Sequence, residues 1–229
     1  MYRSEIRRLA YALAKADELI EIPEDAEKTA RRWMGASSPT LRKHMVKYVQ
    51  PWFKTIYPQN MLLSKLYRGV VFHESSTETL RDLLSGTGVK LRKNVAESWS
   101  YSFDAAEGFM DENKPDQASF ILKQYNVKSD KVILDYVWLA KQLMADSFTN
   151  GNGLKNYIGT MVLEEEVVTE SVCTKCYAEE IVTFNYSADE DDWHDSVDTA
   201  QLYDWDVEDI DNNVYLLSKN KAEFEVRIL

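Results

Sequence analysis

The side chains best suited to chemistry fall into three short blocks of this 229-residue chain. They are Tyr67-Arg68-Gly69, Ser98-Trp99-Ser100 and, late in the chain, Glu164-Glu165-Glu166-Val167. A guanidinium can hold a phosphate through two hydrogen bonds, and a carboxylate can stabilise positive charge that develops on a sugar. Two carboxylates in one cleft raise the pKa of one of them, which suits it to accept a proton. Hydroxyl groups on a neighbouring strand can hold the reacting strand steady.

Two strands are predicted to position the first two blocks. The segment LYRGVVF predicts a strand that carries Arg68 near its middle or end, followed by Gly69 where the backbone can come close to a ligand. The segment NVAESWSYSF predicts the second strand, and alternation puts Ser98, Ser100 and Ser102 on one of its faces.

The carboxylates are predicted to lie on a third strand, in GTMVLEEEVV. Alternation along that strand points Glu164 and Glu166 the same way and Glu165 the opposite way. A second E-x-E pattern, Glu223 and Glu225 in AEFEVRIL, also reads as part of an apolar strand. Both patterns are candidates for a catalytic carboxylate pair, and an acidic edge strand without chemistry is the alternative for the first.

The remaining pattern predicts an α+β fold in which a helical layer precedes a strand-rich core. Residues 3–56 are predicted to be helical, with helix starts at Pro23 and Ser38 and with a kink or an end at Pro51. The core is predicted to continue with helices in STETLRDLLSG and DAAEGFMDE, a strand in ASFILKQYNV, a strand that turns into a helix in KVILDYVWLAKQLMADS, a flexible loop at Asn150-Gly151-Asn152-Gly153, a strand in EEIVTFNY and a closing hairpin in VYLLSKNKAEFEVRIL.

Charge divides the chain unevenly. The net charge is −11, and from Glu164 to Leu229 there are 19 acidic residues against 4 basic ones. The length of 229 residues and the hydrophobic content of 45% favour one compact domain, with a helical layer over residues 1–60 and a core over residues 61–229 that carries an acidic, partly loop-like extension from about residue 186. An acidic face disfavours binding to nucleic-acid phosphates and attracts a basic partner, although a merely solubilising surface has the same composition.

Composition and targeting signals favour a soluble, cytoplasmic protein. No apolar run approaches the roughly 20 residues that span a bilayer, and the first residues lack the apolar segment of a signal peptide, so no membrane is expected. The pair Cys173-x-x-Cys176 supplies two ligands where a structural zinc usually takes four. We therefore expect two reduced thiols and no metal.

The order, spacing and context of the three blocks resemble the Arg–Ser–Glu (R-S-E) class of mono-ADP-ribosyltransferases over residues 60–185. In that family a small residue falls eight positions after the first serine and an aromatic residue eleven positions after it, and here these are Ala106 and Phe109. This register makes Ser98 and Ser100 the matching pair. The chain is similar to the compact bacteriophage Mod-type enzymes, which would place it in the cytoplasm of a host cell.

The resemblance implies a split mixed/antiparallel β-sheet core of the ADP-ribosyltransferase type, with NAD as co-substrate. In the family's pattern Arg68 anchors the NAD phosphates, Ser98 braces the cleft and the glutamate, and Phe109 packs behind the serine strand. Glu166 contacts the nicotinamide ribose, and Glu164 orients and deprotonates the acceptor. The residues implied to contact NAD are Arg68, Gly69, Ser98, Ser100, Phe109 and Glu166.

The implied reaction transfers ADP-ribose to an arginine of a target protein, because a glutamate at position 164 is the family's mark of arginine acceptors. RNA and water remain alternative acceptors, and water would give plain NAD hydrolysis. The family places one more core strand behind its glutamates, which favours Glu164/Glu166 over Glu223/Glu225 because EEIVTFNY follows the first pair. Tyr157 and the Gly-rich loop lie where the family's acceptor-recognition loop lies. A non-enzymatic module whose acidic C-terminal face captures a basic partner is the alternative of a different class.

Overall fold

The computed structural model describes residues 20–34, 38–72, 74–110, 117–145, 148, 152–156, 158–171, 174–187 and 190–229. The fold is mixed α+β, with several helices and a large sheet that contains both parallel and antiparallel pairs, so the predicted fold class is confirmed at this level. The chain divides into two compact units. The first comprises Met1–Leu66, Lys93–Ser102 and Tyr125–Val172, and the second comprises Tyr67–Arg92, Phe103–Gln124 and Cys173–Leu229. The predicted boundary near residue 60 stays a prediction.

Helices open the described part of the first unit, as the sequence predicts. They are α1 (Glu24–Trp33), α2 (Pro39–His44), a π-helical turn (Met45–Val49) and α3 (Gln50–Ile56). Pro23 immediately precedes α1 and Ser38 caps α2, where the Ser38 hydroxyl accepts a hydrogen bond from the Leu41 backbone N–H at 3.1 Å. The part of the predicted helical layer before residue 20 lies outside the described residues.

Of the two outcomes predicted at Pro51, an end of the helical run is wrong and a kink stays a prediction. The helix continues through Pro51 to Ile56, with the π-helical turn immediately before it. In that turn the Gln50 N–H donates to the Met45 carbonyl, five residues back. Pro51 then lies in the first turn of α3, the part of a helix where a missing N–H is tolerated.

Short antiparallel strands form the centre of the first unit. They are β3 (Glu97–Ser100), β5 (Val132–Asp135) and β6 (Glu166–Thr169), hydrogen-bonded in the order β5-β6-β3. Three helices belong to the same unit: α6 (Tyr136–Met144), α7 (Asn152–Lys155) and α8 (Gly159–Leu163). The predicted strand-to-helix transition is confirmed, because β5 leads directly into α6 and the Asp135 carboxylate caps that helix by accepting from the Trp138 N–H at 2.9 Å.

Three predictions in this unit are wrong in detail. The serine strand ends at Ser100, because the Ser102 N–H turns back to the Ser100 hydroxyl at 2.9 Å and a helix begins at Phe103. The strand predicted in GTMVLEEEVV begins only at Glu166, because Gly159–Leu163 is helical. Asn152 and Gly153 begin α7 instead of forming a loop, while Asn150 and Gly151 lie outside the described residues.

The second unit is built on a mixed set of strands in the order β4-β8-β11-β10-β9. The pair β8·β11 is parallel, and the other neighbours in this order are antiparallel. The elements are β1 (Leu62–Val71) and β4 (Ser119–Lys128), which contribute residues to both units, and β2 (Val89–Lys90), β7 (Lys175–Cys176), β8 (Ile181–Tyr186), β9 (Asp206–Asp211), β10 (Val214–Lys219), β11 (Ala222–Ile228), α4 (Ser76–Leu84), α5 (Phe103–Glu107) and α9 (Glu190–Leu202). The strands predicted in LSKLYRGVVF, ASFILKQYNV and EEIVTFNY and the C-terminal hairpin are thereby confirmed.

The acidic segment after residue 186 is more ordered than the sequence predicts. It forms α9 and β9, because α9 buries Trp193, Ser196 and Ala200 at helical spacing on its inner side. The Trp193 ring lies 5.3 Å from that of Tyr186, measured between centroids. Asp192, Asp195 and Asp198 occupy exposed positions of α9. The acidic composition of the segment hides the buried stripe in the sequence.

No helix in the described part of the chain is long and apolar enough to cross a membrane. Cys176 lies in β7 and is buried, whereas Cys173 lies outside the described residues.

Gly69 packs so closely against α5 that a side chain there should destabilise the second unit. A Cβ at this position would overlap the Ala106 carbonyl oxygen and lie 3.1 Å from the Phe109 Cβ. Gly69→Ala should therefore cost about 2 kcal/mol of unfolding free energy, within the range for overpacking, as measured by urea denaturation. Gly108→Ala is the matched control, because the nearest atom to its new Cβ is 3.5 Å away. Equal urea midpoints for the two variants would contradict this description of the packing.

Candidate functional site

A buried carboxylate lies at the centre of the candidate site. Glu166 is the first residue of β6 and pairs with Ser100 of β3, while Ser98 pairs with Val168. This register makes Ser98 a diagonal neighbour of Glu166 on the same face. The Ser98 hydroxyl donates to Glu166 Oε1 at 2.5 Å, and Glu166 is only 6% exposed. The structure therefore brings together two predicted site residues that lie 68 positions apart in sequence.

A tryptophan that the sequence analysis did not single out contacts the same carboxylate. The Trp33 indole N–H, at the end of α1, donates to Glu166 Oε1 at 2.9 Å. Trp33 shares the buried face of α1 with Ala26 and Ala30. A tryptophan on such a face has the pattern of a core residue, so the sequence carries no local signal of this contact.

The two oxygens of Glu166 are in different situations. Oε1 accepts both hydrogen bonds, whereas Oε2 is buried and has no hydrogen-bond partner among the described residues. Burial raises the pKa of Glu166 because a charge is costly away from water, while the hydrogen bonds from Ser98 and Trp33 lower it and the Glu164 charge raises it further. The net direction is upward, so Glu166 holds its proton more tightly than an exposed glutamate.

A fully buried tyrosine lies close enough to Glu166 to interact with its charge. The Tyr136 hydroxyl donates to the Ala30 carbonyl at 3.1 Å. The pKa of Tyr136 is raised well above its ordinary value because the ring is buried and because the negative charge of Glu166 disfavours a phenolate. Tyr136 therefore remains neutral, and it links α6 to the same helix that carries Trp33.

The turn before Glu166 is held by the residues that end the serine strand. The Ser100 hydroxyl donates to the Glu164 carbonyl at 2.6 Å, and the Tyr101 N–H donates to the Glu165 carbonyl at 3.2 Å. Glu165 has a φ of +49°, in the left-handed region that few residues other than glycine adopt. The Tyr101 hydroxyl in turn donates to Asp135 Oδ2 at 2.9 Å. These bonds fix the direction in which the chain enters β6.

Glu164 does not share a strand with Glu166, so the predicted alternation of the two carboxylates is wrong. Glu164 is the residue that ends α8, and the left-handed Glu165 separates it from β6. Glu164 is half-buried, and burial raises its pKa. The two carboxylates interact nonetheless, since the charge of Glu164 contributes to the raised pKa of Glu166.

Three further predicted residues, Arg68, Gly69 and Phe109, lie in the second unit. Arg68 is half-buried on β1, and Gly69 follows it against α5. Phe109 is 55% exposed, so its ring is not buried, and its expected packing behind the serine strand stays a prediction. It follows the end of α5, where the inward positions are taken by Ala106 and Met110.

The alternative E-x-E pair has a different environment. Glu223 is exposed, and Glu225 is half-buried and paired with Arg227, whose Nη2 lies 3.4 Å from Glu225 Oε2. Neither carboxylate is buried in the way that Glu166 is. Tyr157, predicted to lie near an acceptor loop, is outside the described residues.

Among the described residues, no group of three or more His, Cys, Asp or Glu side chains is arranged to hold a metal ion. Comparisons of the chain with protein-family models, with curated proteins and with solved structures gave no match.

The raised pKa of Glu166 predicts a specific pH dependence of stability. The protonated carboxyl is favoured in the folded state, so its contribution to stability is complete below the ordinary pKa of 4.5 and is lost as the pH rises through the higher folded value. The Glu166→Gln variant lacks this titrating group. Its stability relative to the wild type should therefore increase as the pH rises from about 4.5 through that window. Urea denaturation between about pH 4 and pH 8 measures the difference. A difference that stays constant, or that falls with rising pH, would contradict the raised pKa.

Proposed function

We propose that this chain transfers ADP-ribose from NAD to an acceptor, an arginine side chain of a target protein, and releases nicotinamide. The observation that carries the proposal is the Glu166 carboxylate, which is held at Oε1 by Ser98 and leaves Oε2 without a protein partner among the described residues. A serine that braces a buried glutamate is the arrangement that the R-S-E pattern of the sequence implies.

The chemistry requires a carboxylate beneath a sugar. Breaking the bond between nicotinamide and C1′ of the ribose builds positive charge on the sugar, and an ionised Glu166 would stabilise that charge. The guanidinium nitrogen of the acceptor forms the new bond to C1′, nicotinamide leaves with the electron pair of the broken bond, and the guanidinium loses a proton. Glu164 is the proposed proton acceptor, and its raised pKa suits that role.

Arg68 and Gly69 are the proposed binding site for the NAD phosphates, on the pattern of the sequence. An arginine fork can hold a phosphate through two bonds. Gly69 belongs to the proposed set by the family pattern, while the space that its side chain would fill is occupied by α5. Ser100 and Phe109 complete the proposed set, and the exposed ring of Phe109 is free to contact a ligand.

The burial of Glu166 adds a requirement to this proposal. Oε2 is closed to solvent in the described conformation, so NAD can reach it only after neighbouring groups have moved. Binding of NAD should therefore include a conformational step that uncovers the carboxylate.

The proposal predicts that Glu166 controls both nicotinamide release and labelling of protein. Purified wild type, Glu166→Gln and Glu225→Gln would be incubated with a tagged NAD analogue and bacterial lysate, with free nicotinamide measured in parallel. Glu166→Gln should lower both signals by about a hundredfold or more, because the charge that stabilises the transition state is removed. Glu225→Gln should retain both signals, since Glu225 lies on another strand and pairs with Arg227.

Each departure from that result has a definite meaning. Loss in Glu225→Gln alone would assign catalysis to β11. Nicotinamide release without labelled macromolecules would make water the acceptor, and label removed by ribonuclease would make RNA the acceptor. A wild-type chain that gives neither signal in several lysates would contradict the transferase proposal.

A second candidate function is supported by the acidic C-terminal region. The strand β9 exposes four carboxylates, those of Asp206, Glu208, Asp209 and Asp211. They surround Ile210, which is half-exposed. Such a surface suits a basic protein partner without catalysis. Reversing the charges of Asp206, Glu208 and Asp209 should then abolish binding of the basic partner, while Glu166→Gln should leave that binding intact. The transferase proposal expects the opposite pattern for labelling of protein.

A further inference from the structure

Helix α1 contributes a side chain to the Glu166 site, although it lies outside the part of the sequence that carries the R-S-E pattern. The Trp33 indole N–H and the Ser98 hydroxyl, from two different elements, donate to the same oxygen of Glu166, Oε1. With one donor, the carboxylate could rotate and exchange its two oxygens. Two donors that converge on one oxygen fix the plane of the group, so that Oε2 alone is left to react.

We propose that Trp33 is a positioning residue for the reaction assigned to Glu166, and that together with Ser98 it reserves Oε2 for the reacting group. This inference rests on the proposed function. It also locates the proton of the neutral acid, because an oxygen that already accepts two hydrogen bonds is the poorer site for the proton. The proton therefore resides on Oε2 and leaves from there when Glu166 ionises.

The indole is itself held in place by its own unit. Tyr136 anchors the carbonyl of Ala30, three residues before Trp33, and the Arg42 guanidinium lies 5.7 Å from the centroid of the Trp33 ring. Arg42 is fixed by a hydrogen bond to the Ala96 carbonyl at 2.5 Å. A ring restrained in this way can hold the carboxylate in one orientation.

A second buried tryptophan shows that the Trp33 contact is not required merely to satisfy an indole. Trp138, in the same unit, is 1% exposed, and its indole N–H has no hydrogen-bond partner among the described residues. Within the described part of the chain, a buried indole N–H is therefore tolerated without an acceptor. The N–H of Trp33, by contrast, is aligned with a carboxylate oxygen.

The test compares Trp33→Phe with Trp52→Phe in the full chain. Both changes replace an indole by a phenyl ring in the first unit, but the Trp52 N–H donates to a backbone oxygen, the Glu21 carbonyl at 3.2 Å, where Trp33 donates to a carboxylate. The titration midpoint of Glu166 is followed by NMR of ¹³C-labelled glutamate side chains. Trp33→Phe should raise this midpoint, because a donor to the ionised form is lost, whereas Trp52→Phe should not. Glu164 and Tyr136, the other titratable groups that interact with Glu166, are unchanged in both variants.

The kinetic readout is nicotinamide release from NAD, with agmatine as a small guanidine acceptor. Trp33→Phe should lower kcat by about tenfold to a hundredfold and change KM for NAD much less, since a hydrogen bond to a charged group is lost at the reacting carboxylate. Trp52→Phe should keep the wild-type kcat. Coincident Glu166 midpoints in Trp33→Phe and the wild type would overturn the positioning role.

A measurement on the wild-type protein decides the question if Trp33→Phe does not fold. The indole ¹⁵N–¹H signal of Trp33 should titrate with the same midpoint as the Glu166 carboxyl carbon, and this titration should vanish in Glu166→Gln. A Trp33 signal that does not respond to Glu166 would overturn the inference. If the wild type releases no nicotinamide, the proposed function fails and the catalytic part of this inference fails with it. Turnover in the wild type, together with a Glu166 midpoint that is the same in Trp33→Phe and in the wild type, would overturn the positioning role alone.

Discussion

The hydrogen-bonded burial of the Glu166 carboxylate is the constraint on which the first unit depends. A carboxylate that is 6% exposed loses most of its hydration, a cost that proteins offset with donors aimed at the charged group. Here the donors are Ser98 from β3 and Trp33 from α1, both directed at one oxygen. These hydrogen bonds lower the pKa of Glu166 but do not cancel the effect of burial, so the pKa stays above its ordinary value. The result is a carboxylate with one hydrogen-bonded oxygen and one buried oxygen that has no partner among the described residues.

Much of the surrounding structure serves to bring these groups to one point. The register between β3 and β6 makes Ser98 a diagonal neighbour of Glu166, and the residues that end β3 hold the left-handed turn before it. Asp135, fully buried, accepts from the hydroxyls of Tyr57 at 2.8 Å and Tyr101 at 2.9 Å and also caps α6. A single buried carboxylate thus connects α3, β3 and α6. The Glu166 carboxylate is therefore positioned by regular elements and by the side chains between them, as a group of fixed geometry requires.

The sequence predicts the parts of this arrangement that follow from periodicity and order. Runs rich in apolar and aromatic residues identify β1, β4 and β8. The order of the blocks pairs Ser98 with Glu166, which the hydrogen bond between them matches. The sequence does not reveal that Glu164 ends a helix, because an apolar run such as Thr160–Leu163 fits a strand or a short helix equally well until packing selects one of them. The contact of Trp33 with Glu166 cannot be predicted for another reason, since it depends on the tertiary placement of α1 and leaves no local pattern in the sequence. The acidic residues of α9 likewise conceal the stripe formed by Trp193, Ser196 and Ala200. Burial of this stripe stabilises the helix.

The proposed reaction requires Oε2 of Glu166 to meet the ribose of NAD. The most direct measurement is a titration of the ¹³C-glutamate-labelled protein with a non-hydrolysable NAD analogue, in which the side-chain carboxyl signals are followed by NMR. If NAD binds at Glu166, the Glu166 signal should shift at saturation, together with the indole signal of Trp33, while the signals of Glu223 and Glu225 should stay in place. Binding that shifts the signals of Glu223 or Glu225 and leaves Glu166 unchanged would contradict it, and so would the absence of any response at millimolar analogue.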